Sequence, residues 1–310
     1  MIPSDDSNLI AAGQSHPGKK RHNNEDRFLL ASFSTEAEHM QAYLAVVADG
    51  IGGHQAGEVA AQITVETIRT GMANYFDGDP LPLMRDAVVE AGRAVLSESE
   101  GQPQYKGMGS TAVIAFIINT RLYTASVGDS RIYVLQEGHL HQATVDHTWV
   151  QEAVDYGIIT PDEVKNHPQS HVLRRHVGGK ELAEPDFRLR LKDAETDQES
   201  LSNQGTTLKA GDQVLLCSDG LTDLVEDMEI FQILKGSHPD RSVSKLIKLA
   251  LDRGGDDNIT VAIIAVPNGE QIPEKQGGVR WLTMVIAASL GLACLAAAAL
   301  LLISWIGLWG

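Results

Sequence analysis

The sequence predicts an α+β domain of layered sheets and helices, with one transmembrane helix at its C-terminal end. Two observations carry this reading. Apolar runs of strand length lie close together in pairs, with helical stretches grouped between the pairs. That arrangement suits antiparallel sheets covered by helices, not the strict alternation of a parallel βαβ sheet. In addition, residues 281–310 carry no charged side chain, whereas about 20 apolar residues cross a bilayer as a helix. A chain of 310 residues has room for one large domain or two small ones, and for a substantial core.

The elements follow in order. Residues 1–9 read as a polar tail. Strands are expected in QAYLAVVADG (41–50), TAVIAFIINT (111–120), RLYTASVGDSRIYVL (121–135), DQVLLCSDG (212–220) and NITVAIIAV (258–266), all apolar or alternating runs. Asn119-Thr120 separates two of them and reads as a tight hairpin connection. A helix is expected over 57–76, where Val59, Ile63, Ile68, Met72 and Phe76 recur at helical spacing. Further helices are expected at 81–100, 148–157, 227–235 and 241–253. The polar stretch 192–211 reads as an exposed loop, and 267–280 (PNGEQIPEKQGGVR) as a linker to a membrane span over 281–306. Trp281 at one end of that span and Trp305 and Trp309 at the other suit the two membrane interfaces. Lys275 and Arg280 precede the span and no charge follows it, which places the large domain in the cytoplasm.

Composition narrows the function. With 41 acids against 25 bases the net charge is −16, which disfavours nucleic-acid binding, a process dominated by attraction to phosphates. The basic cluster Lys19-Lys20-Arg21 is too short to reverse that balance. Of the two cysteines, Cys217 lies in an apolar run and Cys294 in the C-terminal segment. A disulfide between them is not expected, so the large domain has the character of a reducing compartment. The opening MIPSDDSNLIAAGQSHPGKK is polar and does not read as a secretory signal.

The chemistry lies in five acidic motifs: RHNNED (21–26), ADGIGGH (48–54), VGDSR (127–131), SDGL (218–221) and DDNIT (256–260). Most follow or flank an expected strand. Carboxylates gathered at strand ends repel one another unless a hard cation sits among them. Asp49, Asp219 and Asp257 are the leading ligands, and an oxygen-only set without Cys or clustered His suits Mg²⁺ or Mn²⁺ rather than Zn²⁺. Glycines after Asp49 let backbone approach an ion closely. Taken singly, each Asp-Gly is also an ordinary turn; the recurrence at strand ends sets the group apart. Two ions about 3.5–4 Å apart stabilise in-line displacement at phosphorus. Arg21, near Glu25 and Asp26, is the candidate for bidentate binding of phosphate oxygens, although alone it reads equally as a surface arginine.

R-x-x-N-E-D, D-G-x-G-G, G-S-T, V-G-D-S-R, S-D-G-L and D-N-I-T occur here in that order. The set resembles the metal-dependent type-2C (PPM) serine/threonine protein phosphatases, in their bacterial form, over roughly residues 10–266. The resemblance implies a four-layer α–β–β–α sandwich of two antiparallel sheets flanked by helices. It implies hydrolysis of phosphoserine and phosphothreonine by direct attack of a metal-bridging water. Carried over by motif, Asp49 bridges two ions and the Gly50 carbonyl adds a ligand. Asp219 and Asp257 bind directly, and Glu25 and Asp26 act through water. Arg21 holds the substrate phosphate. Asp129 with Asp219 matches the position of a third ion. Asn258 supports Asp257, and Gly109-Ser110-Thr111 is structural. Residues 148–180 match a mobile flap beside the site, with His147 at its base.

One departure is Ile51, where many relatives place a histidine; the role of proton donor is not carried to His54, and a metal-bound water is expected to serve. Phosphorylated proteins are the expected partners, with a serine/threonine kinase acting in opposition at a bacterial inner membrane. Two other readings compete: a catalytically weak, membrane-bound sensor that binds phosphoproteins, and a small-molecule phosphoesterase of the same fold.

Overall fold

Central strands that are buried on both faces build the molecule in layers. The computed structural model describes residues 2–3, 8–34, 40–52, 56–165 and 167–268. Gly53, His54, the span 281–306 and the linker after Asn268 lie outside the described residues. Strands and helices are numbered in chain order. The first sheet runs β1 (Ile2–Pro3), β3 (Arg27–Ser34), β4 (Gln41–Ala48), β7 (Ala112–Ile118), β8 (Arg121–Val127) and β11 (Thr206–Thr207), in that spatial order. The second runs β10 (His139–Gln142), β9 (Arg131–Gln136), β12 (Gln213–Cys217), β13 (Ile259–Ala265) and β2 (Ile10–His16). A small ribbon pairs β5 (Gly50–Ile51) with β6 (Gly109–Ser110). Neighbours are antiparallel throughout.

Alternate residues of each central strand enter different cores, because side chains on a strand point to opposite faces. Leu44 and Val46 of β4, with Ile114 and Phe116 of β7, pack on helices α1 (Ala56–Met72) and α2 (Leu81–Gly101). Their neighbours Ala45, Val47, Val113 and Ala115 face the second sheet and meet Ile132, Val134, Val214, Leu216 and Ala262. The far face of that sheet, with Tyr133, Leu215, Cys217, Val261 and Ile263, packs on Leu221, Ile230, Leu246 and Ile247. These last come from α6 (Asp219–Thr222), α7 (Asp227–Lys235) and α8 (Pro239–Asp252). Three cores between successive layers make a four-layer sandwich. Phe116 is fully buried, with the Tyr75 ring edge-on at 5.4 Å; truncating such a residue costs about 3–5 kcal/mol.

Four expectations require correction. The run 121–135 is two strands in different sheets, since Gly128, at φ 102°, breaks it between β8 and β9. The stretch 192–211 holds a short helix, α5 (Asp197–Ser202), and the edge strand β11, and it buries Ser200 and Leu208. The Thr196–Glu199 capping box starts that helix. Phe76 is 67% exposed, because α1 ends at Met72 and Tyr75 takes the place in the core. The N-terminal strands β2 and β3 were not expected from their mixed polarity, and Ile2–Pro3, inside the supposed tail, pairs with Phe33–Ser34.

The segment 148–180 carries α3 (Trp149–Asp155) and the single turn α4 (Pro161–Val164). Thr148 caps α3 by accepting from the Gln151 amide. Among the described residues, no helix is long and apolar enough to cross a membrane.

Candidate metal centre

Strand register brings the acidic motifs to one rim. β2 ends at His16 opposite Ile259, β3 starts at Arg27 opposite Ala48, and Cys217 lies opposite Val261. Ala112 pairs with Val127. Each motif occupies the first residues beyond one of these ends, so both sheets deliver carboxylates to the same edge. A cleft of about 540 Å³ opens there, lined among others by Arg21, Glu25, Asp49, Gly50, Asp129, Asp219, Asp257 and Asn258. Asp26 lies beneath the cleft rather than in its lining, 1% exposed.

Each group is fixed by named neighbours. The Asp49 amide donates to Thr111 Oγ1 at 2.9 Å, and the Asp49 carbonyl accepts from the Thr111 amide at 2.8 Å. Thr111 Oγ1 also bonds Ser130 Oγ at 2.7 Å, which ties the G-S-T and V-G-D-S-R motifs to Asp49. A Cβ at Gly50 would lie 2.1 Å from the Gly57 carbonyl oxygen and 2.7 Å from that of Glu25, so only glycine lets these three segments meet. Ser218 Oγ donates to Asp26 Oδ2 at 2.7 Å.

Asn258 holds the loop between β2 and β3. Its Oδ1 accepts from the Glu25 amide at 2.7 Å, and its Nδ2 donates to the carbonyls of Pro17 and Asn23 at 3.0 and 2.9 Å. Its backbone amide donates to Asp257 Oδ1 at 2.8 Å. Arg21 reaches across and donates from Nη2 to Asp257 Oδ2 at 2.7 Å.

The electrostatics call for a cation. Burial pushes Asp26 up to about 7, against the hydrogen bonds it accepts from side-chain hydroxyls. Burial, reinforced by Asp26, Asp219 and Asp129, raises Asp49 well above the usual carboxylate range. Burial raises Asp129 as well, with Asp219 the strongest like-charge influence, and burial raises Glu25. Burial also opposes the Asp219 charge, but the neighbouring His171 and Asp49 outweigh it and hold that carboxyl low. Asp26 Oδ1 and Asp219 Oδ1 are buried with no hydrogen-bond donor. Buried anionic oxygens left without donors cost free energy that a hard divalent cation removes. The residues present therefore fit Mg²⁺ or Mn²⁺.

Several contributors were not singled out from sequence. Ser218 is an ordinary strand-end residue until its partner is known, whereas Thr111 takes the structural part that the G-S-T motif implied. His171 and Asp223 stand beside Asp219: His171 Nδ1 is 3.7 Å from Asp219 Oδ2 and 3.8 Å from Asp223 Oδ2. His147 is buried at the base of the 148–180 segment. Its Nδ1 accepts from the Gly128 amide, which leaves the proton on Nε2, 3.3 Å from Asp186 Oδ2. A larger groove of about 920 Å³ lies along α1 and α2. Among its charges, Arg85 pairs with Glu184 and Arg93 with Glu90.

The rim of a two-sheet sandwich thus gathers carboxylates beside an arginine, a donor set that suits hard divalent cations. The sequence model of the family "Protein phosphatase 2C" matches residues 12–246. The serine/threonine protein phosphatase PstP of Mycobacterium tuberculosis is 38% identical over 245 residues, covering 78% of this chain and 44% of PstP. The protein phosphatase PhpP of Streptococcus pneumoniae is 31% identical over 267 residues, covering 80% of this chain and 94% of PhpP. A crystal structure of the PstP catalytic domain with two manganese ions superposes at a TM-score of 0.69. It is 35% identical and covers 84% of this chain and 99% of that domain. The chain belongs to the protein phosphatase 2C family. It spans less than half the length of the mycobacterial relative.

Proposed function

We propose that this chain is a metal-dependent protein serine/threonine phosphatase. The observation that carries the reading is the convergence of Asp49, Asp219 and Asp257 on one cleft with Arg21 at its lip. Divalent cations held by Asp49, the Gly50 carbonyl, Asp219 and Asp257 would supply an activated water and offset the charge on phosphorus. Glu25 and Asp26 would support them through water, and Asp129 would help to hold a third ion. Arg21 carries five N–H donors in a planar fork. One edge engages Asp257, which aims the guanidinium and leaves other donors for phosphate oxygens. Asn258 sets the height of that loop over the cleft by tying Glu25, Pro17 and Asn23 to the start of β13.

The test is hydrolysis of a phosphothreonine peptide and of para-nitrophenyl phosphate with added Mn²⁺ or Mg²⁺. Asp219→Ala is expected to lower turnover by about 10²-fold or more. Full activity in that variant, or after chelation, would overturn the proposal. Phosphopeptide binding without turnover in excess Mn²⁺ would favour the sensor reading. Faster turnover of free phosphorylated metabolites than of phosphopeptides would favour the small-molecule reading.

We further propose that residues 281–306 tether the enzyme to a bacterial inner membrane, with the phosphatase domain (10–266) in the cytoplasm, where it opposes a serine/threonine kinase. The uncharged stretch, its flanking tryptophans, and Lys275 and Arg280 before it support this. A linker over 267–280 would hold the cleft near the bilayer and favour membrane-bound phosphoproteins. Protease added to inside-out vesicles should digest the domain, whereas intact right-side-out vesicles should protect it. The opposite pattern would refute the orientation.

A further inference from the structure

The small ribbon of β5 and β6 gains a third segment from the end of the 148–180 stretch. Gly50 pairs with Ser110, and Ser110 pairs on its other side with Val177, again antiparallel. The Ser110 and Val177 amides each donate to the other's carbonyl, at 3.0 and 2.7 Å. The register follows. Asp49, Thr111 and His176 form one cross-strand row, Gly50, Ser110 and Val177 the next, and Ile51 and Gly109 the third. Successive rows point to opposite faces. The middle row faces the helices, since Val177 belongs to the core beneath α1 and α2. The other two rows face the cleft, which Asp49, Ile51 and Thr111 line.

His176 therefore stands on the cleft face, two strand spacings or about 10 Å from Asp49. Gly109 makes room for its ring. A Cβ at Gly109 would lie 2.6 Å from His176 Cδ2, so the imidazole leans over this glycine, the cross-strand neighbour of Ile51. Along the rim the order is the loop that bears Arg21, then Asp49 after β4, Thr111 before β7, and His176. A phosphoester over Asp49 would have Arg21 on one flank and His176 on the other. The ring nitrogens of His176 make no hydrogen bond to a described residue, which leaves them available to a ligand. Burial holds its pKa below the ordinary histidine value, and a phosphate dianion beside it acts in the opposite direction.

A seryl or threonyl oxygen leaves phosphorus as a strong base, so a positioned proton donor speeds its departure. The carboxylates of the cleft serve as cation ligands, and Arg21 does not give up its proton. His22 lies on the Arg21 loop, and His171 faces Asp219 and Asp223 at 3.7 and 3.8 Å. We propose that His176, rather than a water, donates the proton to the leaving serine or threonine oxygen. The assignment rests on the phosphatase reading and adds to it the residue that acts on the leaving group. Hydroxide bonds to phosphorus as the bond from phosphorus to the seryl or threonyl oxygen breaks. That oxygen keeps the electron pair and takes the imidazolium proton. Inorganic phosphate, the free hydroxyl and neutral imidazole result, and solvent returns the proton to the ring.

The test compares two substrates of the full chain in detergent with Mn²⁺. The nitrophenolate of para-nitrophenyl phosphate departs without a proton, whereas the threonyl oxygen of a phosphothreonine peptide needs one. His176→Gln should lower kcat on the peptide about 10²-fold more than on para-nitrophenyl phosphate, with a native circular dichroism spectrum. Gly109→Ala, which displaces the ring, should split the two substrates in the same direction. Across a series of aryl phosphates, rates of His176→Gln should fall more steeply with the basicity of the leaving phenolate than those of the wild type. Equal losses on both substrates, no loss on the peptide, or the split in His171→Gln or His22→Gln instead would overturn the assignment and leave the phosphatase reading intact. Absence of Mn²⁺-dependent turnover of either substrate by the wild type would overturn both.

Discussion

At the scale of single residues, the site depends on groups that only hold others. Asn258 never faces a phosphate in the proposed chemistry, yet it satisfies the Glu25 amide and two loop carbonyls. Asn258→Ala leaves these groups without a partner, at a cost of about 1–3 kcal/mol. It also frees the loop that carries Arg21 and Glu25. The expected result is a rise of about tenfold or more in the Mn²⁺ concentration for half-maximal turnover. A metal titration at saturating substrate measures this, and an unchanged curve would show that the loop is held by other contacts. The same logic explains what sequence could show at this scale. Asp49, Asp219 and Asp257 stand out because acidic residues beside glycine or asparagine at strand ends are conspicuous. Ser218 and His171 do not, because their importance lies in partners that are distant in sequence.

At the scale of elements, the base of the 148–180 segment is an ion-pair network. Asp186 Oδ2 faces His147 Nε2 at 3.3 Å, and Arg188 grips the same carboxylate through Nε and Nη2. Burial alone would raise Asp186, but His147 and Arg188 outweigh it and hold its carboxyl far below its ordinary value of 3.8. A depressed folded-state value means that the stabilisation is present above about pH 4 and fades as pH falls further. Asp186→Asn should therefore cost about 3 kcal/mol at neutral pH, the scale for breaking a largely buried pair from one side. That gap from wild type should shrink below pH 4. Urea midpoints measured from pH 7 down to pH 3 check the sign, and a constant gap would contradict it. The switch of sheets between β8 and β9 belongs to this scale as well. Val-Gly-Asp-Ser contains turn residues, but a continuous apolar run hides them until Gly128 is seen in a backbone conformation that strands do not use.

At the scale of the whole molecule, a chain of net charge −16 concentrates buried carboxylates at one rim of its two sheets. Mutual repulsion there opposes folding until cations bind. A ligand at a hundred times its Kd stabilises the native state by about 2.7 kcal/mol. For a domain of this size that corresponds to a rise of roughly 5–10 °C in Tm. Mn²⁺ should produce that shift in a thermal melt of the full chain, EDTA should reverse it, and Asp49→Ala should diminish it. No shift in the wild type would mean that the rim tolerates its charges without metal.

The sequence by itself determined the kind of layers, the central strands and the main helices, because burial on one face leaves a periodic apolar pattern and burial on both leaves a continuous apolar run. It also determined the acidic motifs, their order, and the oxygen character of the ligand set. Only the tertiary structure decided that one apolar run serves two sheets and that the polar stretch 192–211 is partly buried. It alone placed Asp26 beneath the cleft and His171 above it. The reason is physical. Periodicity records which face of an element avoids water, whereas register, chain reversal and the meeting of distant side chains are set by contacts between elements, and those leave no local pattern to read.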